Sequence, residues 1–420
     1  LTSKALLKFG GRVRTKNKLR DNSFFSYEPV DEDAFGARLG NVPNSSYTNP
    51  NYLAGSKYKV GRFATPAFLG GLDLKNPALF DETDELGEYA ASNYSATENI
   101  YATYAMADIQ FNEKLSGIVG LRYEATSIDY TGNIFDVDNE VVTGTSDDQN
   151  YGNFMPGLHL NYNFSDYSIL RFAWTNTIAR PNYFDLVPYA EFSPDDQELV
   201  RGNPALEATT SMNFDLMFEN YFENIGIISG GVFYKDVDHF IYERVIEGYN
   251  DPEFGNDLEY TTFENGGTAE IYGVEVAVQR QLWKGLGLYL NYTYTQSSTT
   301  GIQGREGEDI ELPGTANNMF NASLSYETPK LVLRASLNYA SDYIDELGGD
   351  AFEDRFYDKQ TFIDLNGSYA FTPQWRFFFE VNNLTNQPLR YYQGVSSRTM
   401  QVEYYNVRFN AGLKFDLFND

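Results

Sequence analysis

Between residues 115 and 126 the chain alternates with a period of two. Leu115, Gly117, Val119, Leu121, Tyr123 and Ala125 share one face; Ser116, Gly120, Arg122, Glu124 and Thr126 share the other, with Ile118 the one apolar intruder. Successive side chains of a strand point to opposite sides, so this pattern predicts a strand between two unlike surroundings. The pattern returns over 154–164, 212–219, 375–382 and 405–417, where Phe409, Ala411, Leu413 and Phe415 oppose Arg408, Asn410, Gly412 and Lys414. It predicts about 14 strands: 5–14, 99–111, 115–129, 151–164, 168–179, 210–222, 225–238, 269–282, 286–299, 316–328, 331–343, 360–371, 375–383 and 401–417.

Soluble sandwiches also alternate, but their strands run about 5–6 residues. Most of these run about 10–13, near the 9–11 that a tilted membrane strand needs. The links point the same way. Short ones at 112–114, 165–167, 223–224, 283–285, 329–330 and 372–374 alternate with long polar ones at about 15–98, 130–150, 180–209, 245–268, 300–315, 344–359 and 384–400. Short turns at one end and long loops at the other mark an outer-membrane barrel with its long loops extracellular. Tyr and Phe at the strand ends, such as Tyr101, Phe111 and Phe164, fit interfacial girdles as well as plain strand propensity. The fold class read here is all-β: a transmembrane antiparallel barrel over 1–420, with 15–98 a long extracellular loop within it. Arg at Leu160, Phe214 or Phe377 is expected to cost about 2–4 kcal/mol, and Arg at Asn161 or Asn213 to be tolerated.

Composition narrows the chemistry. There are no cysteines and two histidines, His159 and His239, so thiolate metal sites are excluded and His-based catalysis is disfavoured. Net charge is -28, which speaks against nucleic acid as a partner. Carboxylates pair at Asp147/Asp148 and around Asp195, Asp196 and Glu198, but as solvated loop charge, with no nucleophile elbow, phosphate loop or zinc-protease motif. No enzyme activity and no resident cofactor are expected. The acids Asp345, Glu346, Asp350, Glu353, Asp354 and Asp358 could gather Ca²⁺, or form a hydrated loop.

The polar faces carry Arg122, Glu124, His159, Arg171, Asp215, Glu219 and Lys235, then Glu275, Arg334, Asp364, Arg376, Glu380, Arg408 and Lys414. These are expected to line the lumen, as cross-strand ion pairs or as a wet pore surface. Loop aromatics Tyr183, Phe184, Tyr189, Phe192, Tyr249, Phe254, Tyr391 and Tyr392 could stack on a sugar, peptide or siderophore, or on one another.

Five motifs in order resemble TonB-dependent receptors. They are Arg180-Pro181-Asn182-Tyr183 with Leu186-Val187-Pro188, Gly202-Asn203-Pro204-Ala205-Leu206, Gly231-Val232-Phe233-Tyr234-Lys235, Tyr272-Gly273-Val274-Glu275, and Val381-Asn382-Asn383-Leu384-Thr385-Asn386. The closing strand resembles the family's terminal strand, but 415–420 lacks the usual final aromatic. Asn and Tyr richness resembles the Bacteroidota branch. The resemblance implies the C-terminal part of a 22-stranded barrel, whose plug and first strands are absent from this sequence. It implies uptake of a scarce siderophore, glycan or peptide nutrient, driven by TonB, ExbB and ExbD through that plug. It also implies outer-membrane lipid and lipopolysaccharide as surroundings, and a surface lipoprotein or other outer-membrane subunit as a further partner. The alternatives are a passive 14-stranded channel, which needs its first and last strands to close, and a receptor-like barrel serving as a structural subunit.

Overall fold

The computed structural model describes residues 5–31, 39–46, 62–136, 139–194, 196–222 and 226–417. The expected turn at 223–224, the acids Glu32, Asp33 and Asp195, and the last three residues lie outside them. Fourteen wall strands form one antiparallel meander. They are β1 (Ala5–Arg20), β2 (Tyr94–Gln110), β3 (Leu115–Asp136), β4 (Val141–Ser165), β5 (Ser168–Ala179), β6 (Thr209–Phe222) and β7 (Gly226–Asp238), followed by β8 (Thr268–Trp283), β9 (Leu286–Thr299), β10 (Asn318–Glu327), β11 (Leu331–Ala340), β12 (Gln360–Ala370), β13 (Trp375–Asn382) and β14 (Arg408–Phe415). Each pairs with the next in sequence. Among the described residues no register joins β14 back to β1, so the closure that a 14-stranded channel requires is not seen.

The registers carry one face across the whole wall. Tyr104 lies opposite Arg122, Arg122 opposite Met155, and Gly157 opposite Thr175. Thr175 then opposes Asn213, and Asn213 opposes Lys235. This is the polar face. The other face carries Phe9, Val13, Phe154, Phe409 and Leu413, all at least 63% exposed. A wall that turns such residues outward needs hydrocarbon against them. No described helix is long and apolar enough to cross a membrane, so the crossing is made by strands. At the short-turn end Gly285, φ +89°, turns so tightly that a Cβ would lie 2.2 Å from the Glu327 carbonyl oxygen.

Expected boundaries shift most at the long-loop end. β1 runs on to Arg20 and β2 starts at Tyr94, so the segment expected as loop 15–98 is shorter by a ladder from Thr15↔Asn99 to Arg20↔Tyr94. The loop expected at 130–150 is a projecting hairpin, because β3 has 22 residues and β4 has 25. The expected loops 180–209 and 245–268 contain strands Ala190–Ser193, Glu198–Arg201, Ile241–Asp251 and Gly255–Asn265, and Leu389–Gln393 lies in 384–400. The described buried apolar clusters sit at this end, one around Ile128, Tyr130, Leu186 and Leu206 and another around Phe240, Tyr242, Ile302 and Leu347.

The two faces make a direct prediction. Phe214, mid-strand on the apolar face between Trp174 and Tyr234, is expected to cost about 2 kcal/mol as Phe214→Arg, the long side chain snorkelling out of part of the penalty. Asn213, expected to tolerate Arg, is 9% exposed and bonded to Ser211, Thr175 and Thr177. Exposed Asp215 on the polar face is the better control. Denaturant titration in lipid vesicles measures both, and equal losses for Phe214→Arg and Asp215→Arg would refute the face assignment.

Candidate functional site

The Arg-Pro-Asn-Tyr motif ends β5 and folds the next loop back onto the wall. Pro181 has no N–H for the ladder, so the strand stops at Ala179. A four-residue helical turn, Tyr183–Leu186, follows with Asn182 at its N-cap. It buries Leu186 and Val187 against Ile128 and Tyr130 of β3. The Gly-Asn-Pro-Ala-Leu motif locks onto this turn. A Cβ on Gly202 would lie 2.0 Å from the Val187 carbonyl oxygen, so only glycine fits. Asn203 donates from its backbone to Asp185 O at 2.7 Å and from Nδ2 to Phe263 O at 2.8 Å. Pro204 O accepts from Gln149 Nε2 at 2.6 Å and from Tyr130 Oη at 3.2 Å.

Arg180 ties the same loop to the wall by charge. Its Nη2 donates to Glu124 Oε2 at 2.6 Å and to Thr126 Oγ1 at 3.0 Å, and its Nε lies 3.8 Å from Glu98 Oε1. Glu98, its side chain 3% exposed, also takes Arg14 Nη2 at 2.6 Å. Arg122 Nε donates to Glu124 Oε1 at 2.8 Å. Three guanidinium groups and two carboxylates thus form one chain across β1, β2, β3 and the end of β5. Beside it, burial and then Glu98 push the Tyr183 hydroxyl up to about 12, and Lys16 Nζ stands 4.7 Å from the Tyr183 ring centre.

The eight loop aromatics split into packed sets. Phe184 stacks on Tyr189 at 4.5 Å, and Phe192 meets Phe254 at 5.3 Å. Tyr249 stacks on Tyr260 at 4.3 Å. Tyr391 packs on Tyr357, and Tyr392 stacks on Phe356 at 5.1 Å while donating to Asp342. Tyr189 and Tyr392 are buried, at 2% and 5% exposure, and present no face to a ligand in this conformation. The other six are exposed on part of their surface.

The acidic stretch from Asp345 is internally engaged. Arg355 bridges Asp345, at 2.7 Å, and Glu346. Asp354 holds Arg305 at 2.6 Å, and Asp358 holds Arg390 at 2.6 Å. Asp350 and Glu353 accept from the backbone N–H groups of Phe352 and Gly349. No group of three or more His, Asp or Glu side chains suited to a metal occurs among the described residues. Nearby acids are pushed toward neutrality. Burial, then the charge of Glu346, raises Glu243 to about 7; burial raises Asp185 to about 6.

A family model described as TonB dependent receptor-like, beta-barrel, matches residues 4–384. The chain belongs to that family. It is an outer-membrane β-barrel of the TonB-dependent receptor type, and the family is one of receptors and transporters. The iron-regulated outer membrane virulence protein of Vibrio cholerae is 28% identical over 257 residues, which are 58% of this chain and 37% of that protein. The chain therefore spans well under half the length of that relative. In fold it resembles the siderophore receptor PiuA of Acinetobacter baumannii (TM-score 0.58, 12% identity), covering 99% of this chain and 54% of that one. It also resembles the ferric-catecholate import receptor Fiu of E. coli K12 (TM-score 0.58, 13% identity), covering 80% and 46%.

All fourteen charged or imidazole side chains expected along the receptor's lumen lie on the wall's polar face. His159 is opposite Ile118, Asp215 opposite Phe233, and Glu275 opposite Gly231. Lys235 faces Asn213, Asp364 faces Ser336, Glu380 faces Asn410, and Arg408 faces Asn382. Among the described residues the ion pairs they make are Arg122 with Glu124, Arg171 with Glu219 at 3.0 Å, Arg334 with Glu327, and Lys414 with Asp416, besides Glu124 with Arg180. Arg376 stands directly opposite Lys414, a like-charge juxtaposition, and donates to Ser368. Sequence reasoning missed Arg14, Glu98 and Arg305 as organising residues. For Arg14 and Glu98 the available signal was charge at polar-face positions of β1 and β2. For Arg305, one basic residue in an acidic loop, it was weaker.

Proposed function

We propose that the chain forms the wall and the ligand-gathering mouth of a receptor that takes up a scarce nutrient across the outer membrane. The observation that carries the reading is the family match, supported by the construction of the mouth. Loops pinned by Arg180 and by buried apolar clusters hold partly exposed aromatics at the long-loop end of a polar-faced wall. Within the siderophore, glycan and peptide classes, the iron-regulated relative favours a siderophore. Energy would come from TonB with ExbB and ExbD acting on a plug, and a surface lipoprotein is a further candidate partner. The Bacteroidota affinity read from Asn and Tyr content belongs to this proposal. Among the described residues no register joins β14 to β1, which gives the 14-stranded channel no support.

The test is uptake of radiolabelled ferric siderophores by iron-starved cells carrying or lacking the gene. Uptake that needs the gene and stops when a protonophore collapses the proton gradient supports the proposal. Gene-dependent entry that persists without the gradient indicates a passive pore and refutes energised transport.

A further inference from the structure

β4 carries a long backbone edge that no strand covers. Its register with β3 runs from Asp136↔Val141 to Leu115↔Tyr162, the full height of the projecting hairpin. Its register with β5 begins only at Gly157↔Thr175. In an antiparallel pair, successive residues send their N–H and C=O groups to opposite sides. The Asn163 N–H donates to Lys114 O at 2.8 Å, just before β3 begins. Odd-numbered residues of β4 therefore bond to β3, and even-numbered ones face the β5 side. Pro156 has no N–H on that side, and its carbonyl takes Asn176 Nδ2 at 3.1 Å. Farther up, Val142, Gly144, Ser146, Asp148 and Asn150 point their backbone groups into the open. Among the described residues none of these groups bonds to another strand. The Asp148 N–H alone has a partner, Asp147 Oδ1 at 2.8 Å.

A free edge is a template for a further strand, and proteins commonly blunt it with Lys, Pro or a bulge. Residues 141–155 contain no Lys and no Pro, and their register with β3 is unbroken. Thr143, Gly144, Ser146, Asp147 and Asp148 are exposed. The strand is also held in place before any partner arrives. Gln149 Nε2 donates to the carbonyls of Pro204 and Leu206 at 2.6 and 2.8 Å, which anchors β4 through a side chain and leaves its edge clear. An edge fixed in this way spares a partner the cost of ordering it.

Charge limits what the edge accepts. Asp147 and Asp148 are neighbours, so they lie on opposite faces of the strand. Asp147 stands opposite Tyr130 on the polar face, and Asp148 stands opposite Asp129 on the other. Two carboxylates directly across a ladder repel. Asp129, Asp147 and Asp148 make no ion pair among the described residues. A second copy of the chain would bring the same acids, since residues 141–155 hold no cation. A strand with two adjacent basic residues would set one beside Asp147 and the next beside Asp148 and Asp129. We infer that the free edge of β4 takes up a soluble, extended peptide with adjacent basic residues as an added strand. Main-chain bonds along the edge supply the affinity, and the acids on the two faces supply the selection. The inference is independent of the uptake reading, because neither iron nor transport enters it.

The experiment uses the full-length protein extracted from outer membranes. The probe is a synthetic strand-length peptide of alternating Thr and Val around a central Lys-Arg pair. One control peptide carries Glu-Glu at the centre; the other keeps Lys-Arg but has N-methyl groups on alternate backbone nitrogens along each edge, so it cannot donate to a ladder. The variants are Ser146→Pro, which removes an N–H that β3 does not use, and Asp148→Asn. Heat-modifiable gel mobility checks that each barrel is folded. Calorimetric titration should show binding of the Lys-Arg peptide, weakened about fivefold by Asp148→Asn and about tenfold by Ser146→Pro. Neither control peptide should bind comparably, and hydrogen exchange at Gly144 and Ser146 should slow when the Lys-Arg peptide is bound. The inference is overturned if the Lys-Arg peptide does not bind, or if its N-methylated form binds as well, which would show charge attraction without an added strand. It is also overturned if native mass spectrometry finds a dimer that Ser146→Pro converts to a monomer, since the edge would then belong to a second copy. The N-methylated control on the wild type decides the matter even if Ser146→Pro fails to fold.

Discussion

Replacing Arg305 with methionine is expected to release the loop between β9 and β10 from the loop that follows β11, at a local cost of about 3–5 kcal/mol. Arg305 is 5% exposed. Its guanidinium makes paired bonds to Asp354, at 2.6 and 3.1 Å, and to Glu308, at 2.7 and 3.0 Å. It also reaches Gly348 O at 3.3 Å. Burial works against its charge, but Asp354 and Glu308 outweigh that effect and hold its pKa above the ordinary value. Methionine keeps the stem and removes the charge, leaving Asp354 buried without its cation; most of the loss is that stranded carboxylate. Hydrogen exchange should speed up over 300–317 and 347–354 while the wall strands keep their protection. The double change Arg305→Met with Asp354→Leu should recover most of the loss, since a buried pair can be exchanged for apolar groups at little net cost. Unchanged exchange in the single variant would show that the two loops are held by the apolar cluster around Ile302, Ile344 and Leu347 alone.

That clamp shows why the wall is legible in sequence and the mouth is not. A membrane strand keeps the same contrast between faces along its whole span, so alternation over 115–126 or 154–164 is enough to place β3 and β4. Above the membrane the contrast inverts. Ile128 and Tyr130 sit on the polar face of β3, yet both are buried, because the loop bearing Leu186, Val187 and Leu206 packs over that face. With Ile128 and Tyr130 on the face that carried Arg122 and Glu124, and Ser127, Asp129 and Thr131 on the other, the pattern no longer continues that of the membrane span, and the extension of the strand to Asp136 is missed. The short strands Ala190–Ser193 and Glu198–Arg201 are too brief for periodicity to register. The ion pairs are harder still. Arg14 and Glu98 are 84 residues apart, and which residues meet is set by the register between β1 and β2. Motif resemblance fared better: the Arg-Pro-Asn-Tyr and Gly-Asn-Pro segments, 22 residues apart from Arg180 to Gly202, turn out to be two halves of one loop closure.

Arg180 is accordingly the residue whose loss should spread furthest. Arg180→Met is expected to destabilise the upper wall by about 3–4 kcal/mol. Glu98 would keep Arg14 and Glu124 would keep Arg122, but the carboxylates would lose the cation between them, and their mutual repulsion would go unscreened in a site shielded from water. Their side chains are 3% and 13% exposed, so solvent offers little compensation. The loop from Pro181 to Leu206 would lose its charge anchor and keep its apolar one. The expected signature is therefore partial: faster exchange at Leu186, Val187 and Leu206, a lower unfolding temperature, and an intact mid-membrane ladder. Adding Glu124→Gln should restore part of the stability by removing the repulsion, whereas adding Glu124→Gln to the wild type should weaken it. Should Glu124→Gln prove equally harmful in both backgrounds, Arg180 and Glu124 would be energetically independent, and the loop would be held by the packing of Leu186, Val187 and Leu206 alone.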